Sequence, residues 1–187
     1  MRIKYSIWIW LLKTYLYKGW IFFLIEKNEV IILKKIRNIV ISIAIPQIIG
    51  FSSAFLTAGT MEKYKNLIQP SFAPPGWIFG PVWTLLYALM GYASYRIWKR
   101  RNNYNVKSAL NYYGLQLVFN FAWSLIFFRF ALRGIALVEI LILLLLIVIT
   151  TIKFYKIDRF AAYMLFPYIA WVSFATILNY AVWILNK

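Results

Sequence analysis

The chain has 187 residues, 63% hydrophobic and 20% aromatic, with a mean hydropathy of +0.70 and a formal net charge of +16. A chain this apolar is not an ordinary soluble domain. Cysteine and histidine are both absent, which excludes disulfides and the usual zinc and copper sites, and deprives a haem iron of its commonest axial ligands.

Residues 1–36 open on a basic, aromatic-rich segment whose apolar run is interrupted by Lys13 and Lys18, with no small-residue cleavage site after it. Three readings stay open: an interfacial helix, an extra span, or upstream sequence included through a misassigned start codon. The basic–aromatic mixture favours the interfacial helix. No function attaches to this extension, and the domain proper is expected to cover residues 37–187.

Five apolar stretches follow, at 39–58, 81–98, 108–128, 134–154 and 160–185. Each approaches or exceeds the roughly 20 helical residues that a bilayer core requires. Lipid offers the backbone no hydrogen-bond partners, so each must be a helix. The expected fold is an all-α membrane protein, a bundle of five transmembrane helices. In the first span, Pro46 and Gly50 are candidate bending points. Ahead of the second lies PSFAPPGWIFGPVWTLLY, residues 70–87. Pro70, Pro74, Pro75 and Gly76 specify a rigid, non-helical approach, and Pro81 suits the first turn of the helix, where its missing N–H costs nothing. Glu139 is the only carboxylate inside a span; it lies near the start of the fourth helix, within reach of the interface or of Arg133, and is left out of the site. Pro167 is expected to free a backbone carbonyl and bend the fifth helix.

Lysine and arginine cluster beside the spans, as in Lys34-Lys35-Ile36-Arg37 and Lys99-Arg100-Arg101. Such clusters are topology signals that also meet anionic lipid headgroups, so membrane lipid is an expected partner and nucleic acid is not. The side holding Lys27, Lys34, Lys35, Arg37, Lys99, Arg100, Arg101, Lys107, Lys153, Lys156 and Arg159 outweighs the side holding Lys63, Lys65, Arg129, Arg133 and Lys187. That balance places the N-terminal flank in the cytoplasm, with the first loop and the C-terminus outside.

Three helix faces carry unusual side chains. Trp83, Tyr87 and Met90 share one face of the second helix, Gln116, Asn120, Trp123 and Phe127 one face of the third, and Trp171, Ala175, Asn179 and Val182 one face of the fifth. Packing is the plainer account of Met90, Phe127 and Val182. Amides deep in apolar sequence need partners and tend to face the bundle interior, either as interhelical hydrogen bonds worth about 1 kcal/mol or as a ligand site.

In this order, the proline-rich turn, LQLVFNFAWSLIFF (115–128), GIALVEI (134–140) and FPYIAWVSFATILNYAVWILN (166–186) resemble the TspO/MBR family of tryptophan-rich sensory proteins. Phe72 departs from the tryptophan often found there. The resemblance implies a ligand cavity under the first loop. Onto this chain it carries Pro74, Pro75, Trp77, Trp83, Tyr87, Gln116, Asn120, Trp123, Phe127, Trp171, Ala175 and Asn179 as ligand-binding residues. Gln116 is carried over less securely than the others, because another amide often stands there in the family.

Indole and phenyl faces with a few amides suit a flat, largely apolar ligand with polar edges. The resemblance implies a porphyrin such as protoporphyrin, a role in tetrapyrrole or stress sensing, and light-dependent porphyrin breakdown in which Trp83 and Trp171 exchange an electron with the excited macrocycle. It also implies a homodimer in a bacterial cell membrane, and Gly114 with Val118 on the third helix is a candidate contact; a neighbouring helix of the same chain is the alternative. No nucleophile–base pair, phosphate loop or metal set is present, so conventional enzyme classes have no support and no resident cofactor is expected. A small transporter of amphipathic molecules is the alternative from another class, weakened by the lack of an inverted repeat or paired broken helices. A structural subunit with a filled core is the third. The sterol pattern L/V-x-Y-x-K/R occurs at Leu89-Tyr92-Arg96 and again at Leu12-Tyr15-Lys18, too freely to argue for sterol.

Overall fold

A computed structural model describes the backbone of residues 2–60, 64 and 66–187, and their side chains from Glu29 onward. The long helices are α1 (Arg2–Thr57), α2 (Phe79–Lys99), α3 (Lys107–Ser124), α4 (Arg133–Tyr155) and α6 (Phe166–Leu185), with a short α5 (Arg159–Tyr163) before the last. Short 3-10 turns at Ala58–Thr60 and Gly76–Ile78 flank the first loop, and a wide π turn, Leu125–Arg129, ends α3. Two compact units divide the chain, Met1–Val40 and Ile41–Lys187. In the first unit the sequence is helical from Arg2, and Val30, Ile31, Ile32, Leu33 and Ile36 are exposed. The side chains of residues 1–28 lie outside the described set.

The second unit is the five-span bundle expected from the sequence, and no strand occurs among the described residues. Three helical stretches are long and apolar enough to cross a membrane on composition alone: Glu29–Thr60, Arg133–Tyr155 and Arg159–Leu185. α2 and α3 are of comparable length but are diluted by tyrosine, tryptophan, asparagine and glutamine. Trp83, Tyr87, Gln116, Asn120 and Trp123 among them belong to the site described below, whereas Tyr92, Trp98 and Tyr112 do not. Packing centres on α4, which lies against α3, α5 and α6. Its inward stripe of Ala136, Ile140, Leu143 and Ile147 is buried, as are Phe154, Tyr168, Val172 and Val182.

The last span departs from the expectation of one helix over 160–185. Asp158 caps α5 by accepting the Ala161 N–H at 3.1 Å, a turn follows at Met164 and Leu165, and α6 restarts with Pro167 in its first turn. Pro167 has no N–H to give the Tyr163 carbonyl, so the break falls one turn ahead of the proline instead of a bend at it. Asp158 also accepts two nitrogens of Arg96, the nearest at 2.8 Å, and lies 3.8 Å from Arg100. It thereby ties the end of α2 to the start of α5.

Candidate functional site

A cavity of about 380 Å³ lies at the first-loop end of the second unit, within the range of roughly 300–1,000 Å³ typical of small-molecule sites. α2 contributes Phe79, Trp83 and Tyr87, α3 and its wide turn contribute Trp123, Ser124 and Phe128, and α6 contributes Trp171 and Ala175. α1 supplies a whole side: Gln47, Gly50, Phe51, Ser53, Ala54 and Thr57. Tyr64 closes in from the first loop. No lysine, arginine, aspartate or glutamate is among the lining residues.

The aromatic walls are mutually fixed. Trp83 stacks on Tyr87 with ring centres 5.2 Å apart and meets Tyr168 edge-on at 6.1 Å. Trp171 meets Phe79 edge-on at 5.8 Å and tilts against Phe174. Trp123 stacks on Phe127 at 5.1 Å, and Tyr64 packs on Phe127 and Phe128. Such contacts hold the rings in place at the cavity wall.

Behind the walls, amides and phenols form two hydrogen-bonded groups. The Tyr87 hydroxyl donates to Asn120 Oδ1 at 2.7 Å, Asn120 Nδ2 donates to the Tyr168 hydroxyl, and that hydroxyl donates to Gln116 Oε1 at 2.9 Å. The Trp123 indole N–H donates to Asn179 Oδ1 at 3.1 Å, and Asn179 Nδ2 donates to the Arg133 carbonyl. Each group satisfies polar atoms that would be costly unpaired in an apolar interior, and together they lock α2, α3 and α6 around the cavity. Trp171 is the exception: its indole N–H is buried and has no partner among the described residues. Trp171 thus lines the cavity with its ring, while its N–H is turned into the packed interior.

Of the residues read from the sequence, Trp83, Tyr87, Trp123, Trp171 and Ala175 line the cavity. Gln116, Asn120 and Asn179 sit one layer behind, in the networks above. Met90 and Val182 are fully buried packing residues. Phe127 packs on Trp123, while Phe128 lines the cavity. The wide turn inserts one extra residue, so the fifth residue after Trp123 takes the place that regular spacing assigns to the fourth. Pro74 and Pro75 lie in the approach to the Gly76–Ile78 turn, where the Ile78 N–H donates to the Pro75 carbonyl. Trp77, in that turn, is 74% exposed and outside the cavity.

The α1 wall is what sequence reading passed over. Gln47, Gly50, Ala54 and Thr57 recur at helical spacing as small or polar residues in an otherwise apolar span, and that stripe was the available signal. Gly50 serves close approach and not bending, since a side chain there would strike the Tyr87 ring. Tyr64, which no periodicity marks, stays a neutral phenol because burial raises its pKa above the ordinary value. Glu139 is buried with both carboxyl oxygens unpartnered among the described residues, and makes no ion pair with Arg133.

The sequence profile of the TspO/MBR family matches residues 42–184. The translocator protein of Homo sapiens is 41% identical over 133 residues, covering 70% of this chain and 79% of that protein. The tryptophan-rich protein TspO of Archaeoglobus fulgidus is 37% identical over 154 residues, covering 81% of this chain and 98% of the relative. The tryptophan-rich sensory protein of Cereibacter sphaeroides is 34% identical over 125 residues, covering 67% and 77%.

Proposed function

The chain belongs to the TspO/MBR family, and from that premise we propose that it is an integral membrane receptor for a porphyrin-type tetrapyrrole, acting in tetrapyrrole or stress sensing. The observation that carries this reading is the uncharged cavity walled by Trp83, Tyr87, Trp123 and Trp171. Flat aromatic walls favour a flat conjugated ligand. Asn120 and Asn179 act through the rings they hold, by keeping Tyr87 and Trp123 in place.

Light-dependent breakdown is part of the proposal. An excited macrocycle against Trp83 or Trp171 takes one electron from an indole, leaving an indole radical cation and a macrocycle radical anion, and cleavage of the ring then consumes dissolved molecular oxygen as the oxidant. The protein is placed in a bacterial cell membrane with the Lys99–Arg101 end in the cytoplasm, and is taken to form a homodimer. Transport is the competing reading, favoured by the name of the translocator relatives and weakened by the absence of a matched pair of broken helices among those described.

Titration of the detergent-purified protein with protoporphyrin, read by tryptophan emission, tests the proposal. Saturable quenching is expected; linear, unsaturable quenching would remove the receptor reading. Flux of protoporphyrin across proteoliposomes separates sensing from transport.

A further inference from the structure

We propose that the cavity is loaded sideways, from the hydrocarbon layer, through a slot between α1 and α2. This rests on the receptor reading and adds the route by which its ligand arrives.

The lining residues divide into two sets. Tyr87, Trp123 and Ala175 are buried, whereas Phe51 and Ala54 on α1 and Gly80 and Thr84 on α2 are exposed. Phe51 is 75% exposed although it borders the cavity. The exposed surface beside these residues is apolar, with Ile48 and Phe55 on α1 and Leu85 on α2. The part of the mouth bordered by Phe51 and Thr84 lies within the first and second spans and so meets acyl chains, while Gly80 stands at the end of its span.

The two helices explain the slot. Towards the far end they touch, since a side chain at Gly91 would strike the backbone of Ser42 and Ile43. The Gln47 amide donates to the Thr84 carbonyl at 2.8 Å and closes the lower edge. This antiparallel register sets Ala54 opposite Gly80, where the contact ends. A side chain added at Gly80 meets nothing within 4 Å. Small residues therefore border the gap on both sides.

The described part of the first loop is pinned in contrast. The Ile68 N–H donates to Asn186 Oδ1 at 2.9 Å and the Asn186 amide returns a bond to the Ile68 carbonyl at 3.0 Å. Phe72 packs on Phe174, and Tyr64 on Phe128. Access through the loop needs all of these released. Access through the slot needs none.

The chain has no cysteine, so the double variant Ala54→Cys/Gly80→Cys carries a single bridgeable pair. Neither substitution strains the backbone at Gly80, since no glycine among the described residues has a positive φ. The variant in lipid nanodiscs is mixed with protoporphyrin in a stopped-flow instrument before and after bridging with a short bismaleimide. Bridging is expected to slow association and dissociation alike, by about tenfold relative to the same variant before bridging. Unchanged rates after complete bridging overturn the slot. Slowed association with unchanged dissociation also overturns it, because that marks a plug in the cavity and not a closed gate. Absence of saturable binding in the wild type sinks the receptor reading instead.

Discussion

Trp83 and Trp171 face one cavity but are held differently. Trp83 is stacked on Tyr87, whereas Trp171 buries an N–H with no partner among the described residues. Trp171→Phe and Trp83→Phe should each weaken protoporphyrin binding only modestly, since a phenyl ring keeps most of the apolar wall. The double variant should keep most of the binding area yet lose light-driven bleaching of the bound porphyrin. Steady bleaching in the double variant would take both indoles out of the photochemistry. At this scale the sequence was legible where helical spacing is regular, as for Trp83, Trp171 and Ala175. Phe127 packs on Trp123, as the plainer reading has it, and one extra residue in the turn after Ser124 brings Phe128 into the wall. Nothing in the local pattern LIFFR announces that turn.

Elements show the same contrast. α2, α3 and α4 begin and end within a few residues of the apolar runs, because Pro81 and the basic clusters mark their ends. The fifth span is split at Met164–Leu165, and Asp158, which caps its first part, carries no periodic signal. Burial pushes the Asp158 carboxyl up, but hydrogen bonds from Arg96 and the Ala161 N–H and the charges of Arg96 and Arg100 outweigh this and hold it below its ordinary value. The folded protein thus binds this proton less readily than the unfolded chain. Asp158 contributes stability above the unfolded carboxylate value of about 3.9, and that contribution is lost as pH falls through the lower folded value. Asp158→Ala removes cap and ion pair together and should cost about 1–2 kcal/mol at neutral pH. Asp158→Asn keeps a capping oxygen and should cost less. Thermal denaturation in detergent measures both, and the gap between wild type and Asp158→Asn should close towards pH 3. A gap that persists unchanged at that pH would mean that Asp158 acts through packing and not through its charge.

For the whole molecule, five spans and the family were legible because both rest on long runs of side-chain type, which survive small errors in boundary. Assembly is harder to read, since a small residue on a membrane helix serves a neighbour in the same chain or in another. Here the fold narrows the choice. Gln116 and Asn120 are buried, while Leu115 and Val118 on the other side of α3 are exposed, and a side chain added at Gly114 meets nothing within 4 Å. Gly114 is therefore not needed for packing within the chain. In an isolated helix it costs about 1 kcal/mol relative to alanine, a cost with no return unless something outside the chain approaches it. A second copy packed along Gly114 and Val118 gives that return by letting two α3 backbones come close. Gly114→Leu should then convert dimer to monomer in light scattering, with protoporphyrin affinity kept and the monomer no less stable to heat. A variant that stays dimeric places the contact on another face. A variant that loses ligand affinity before it dissociates would mean that α3 is held in place by its partner, so that the cavity depends on the dimer.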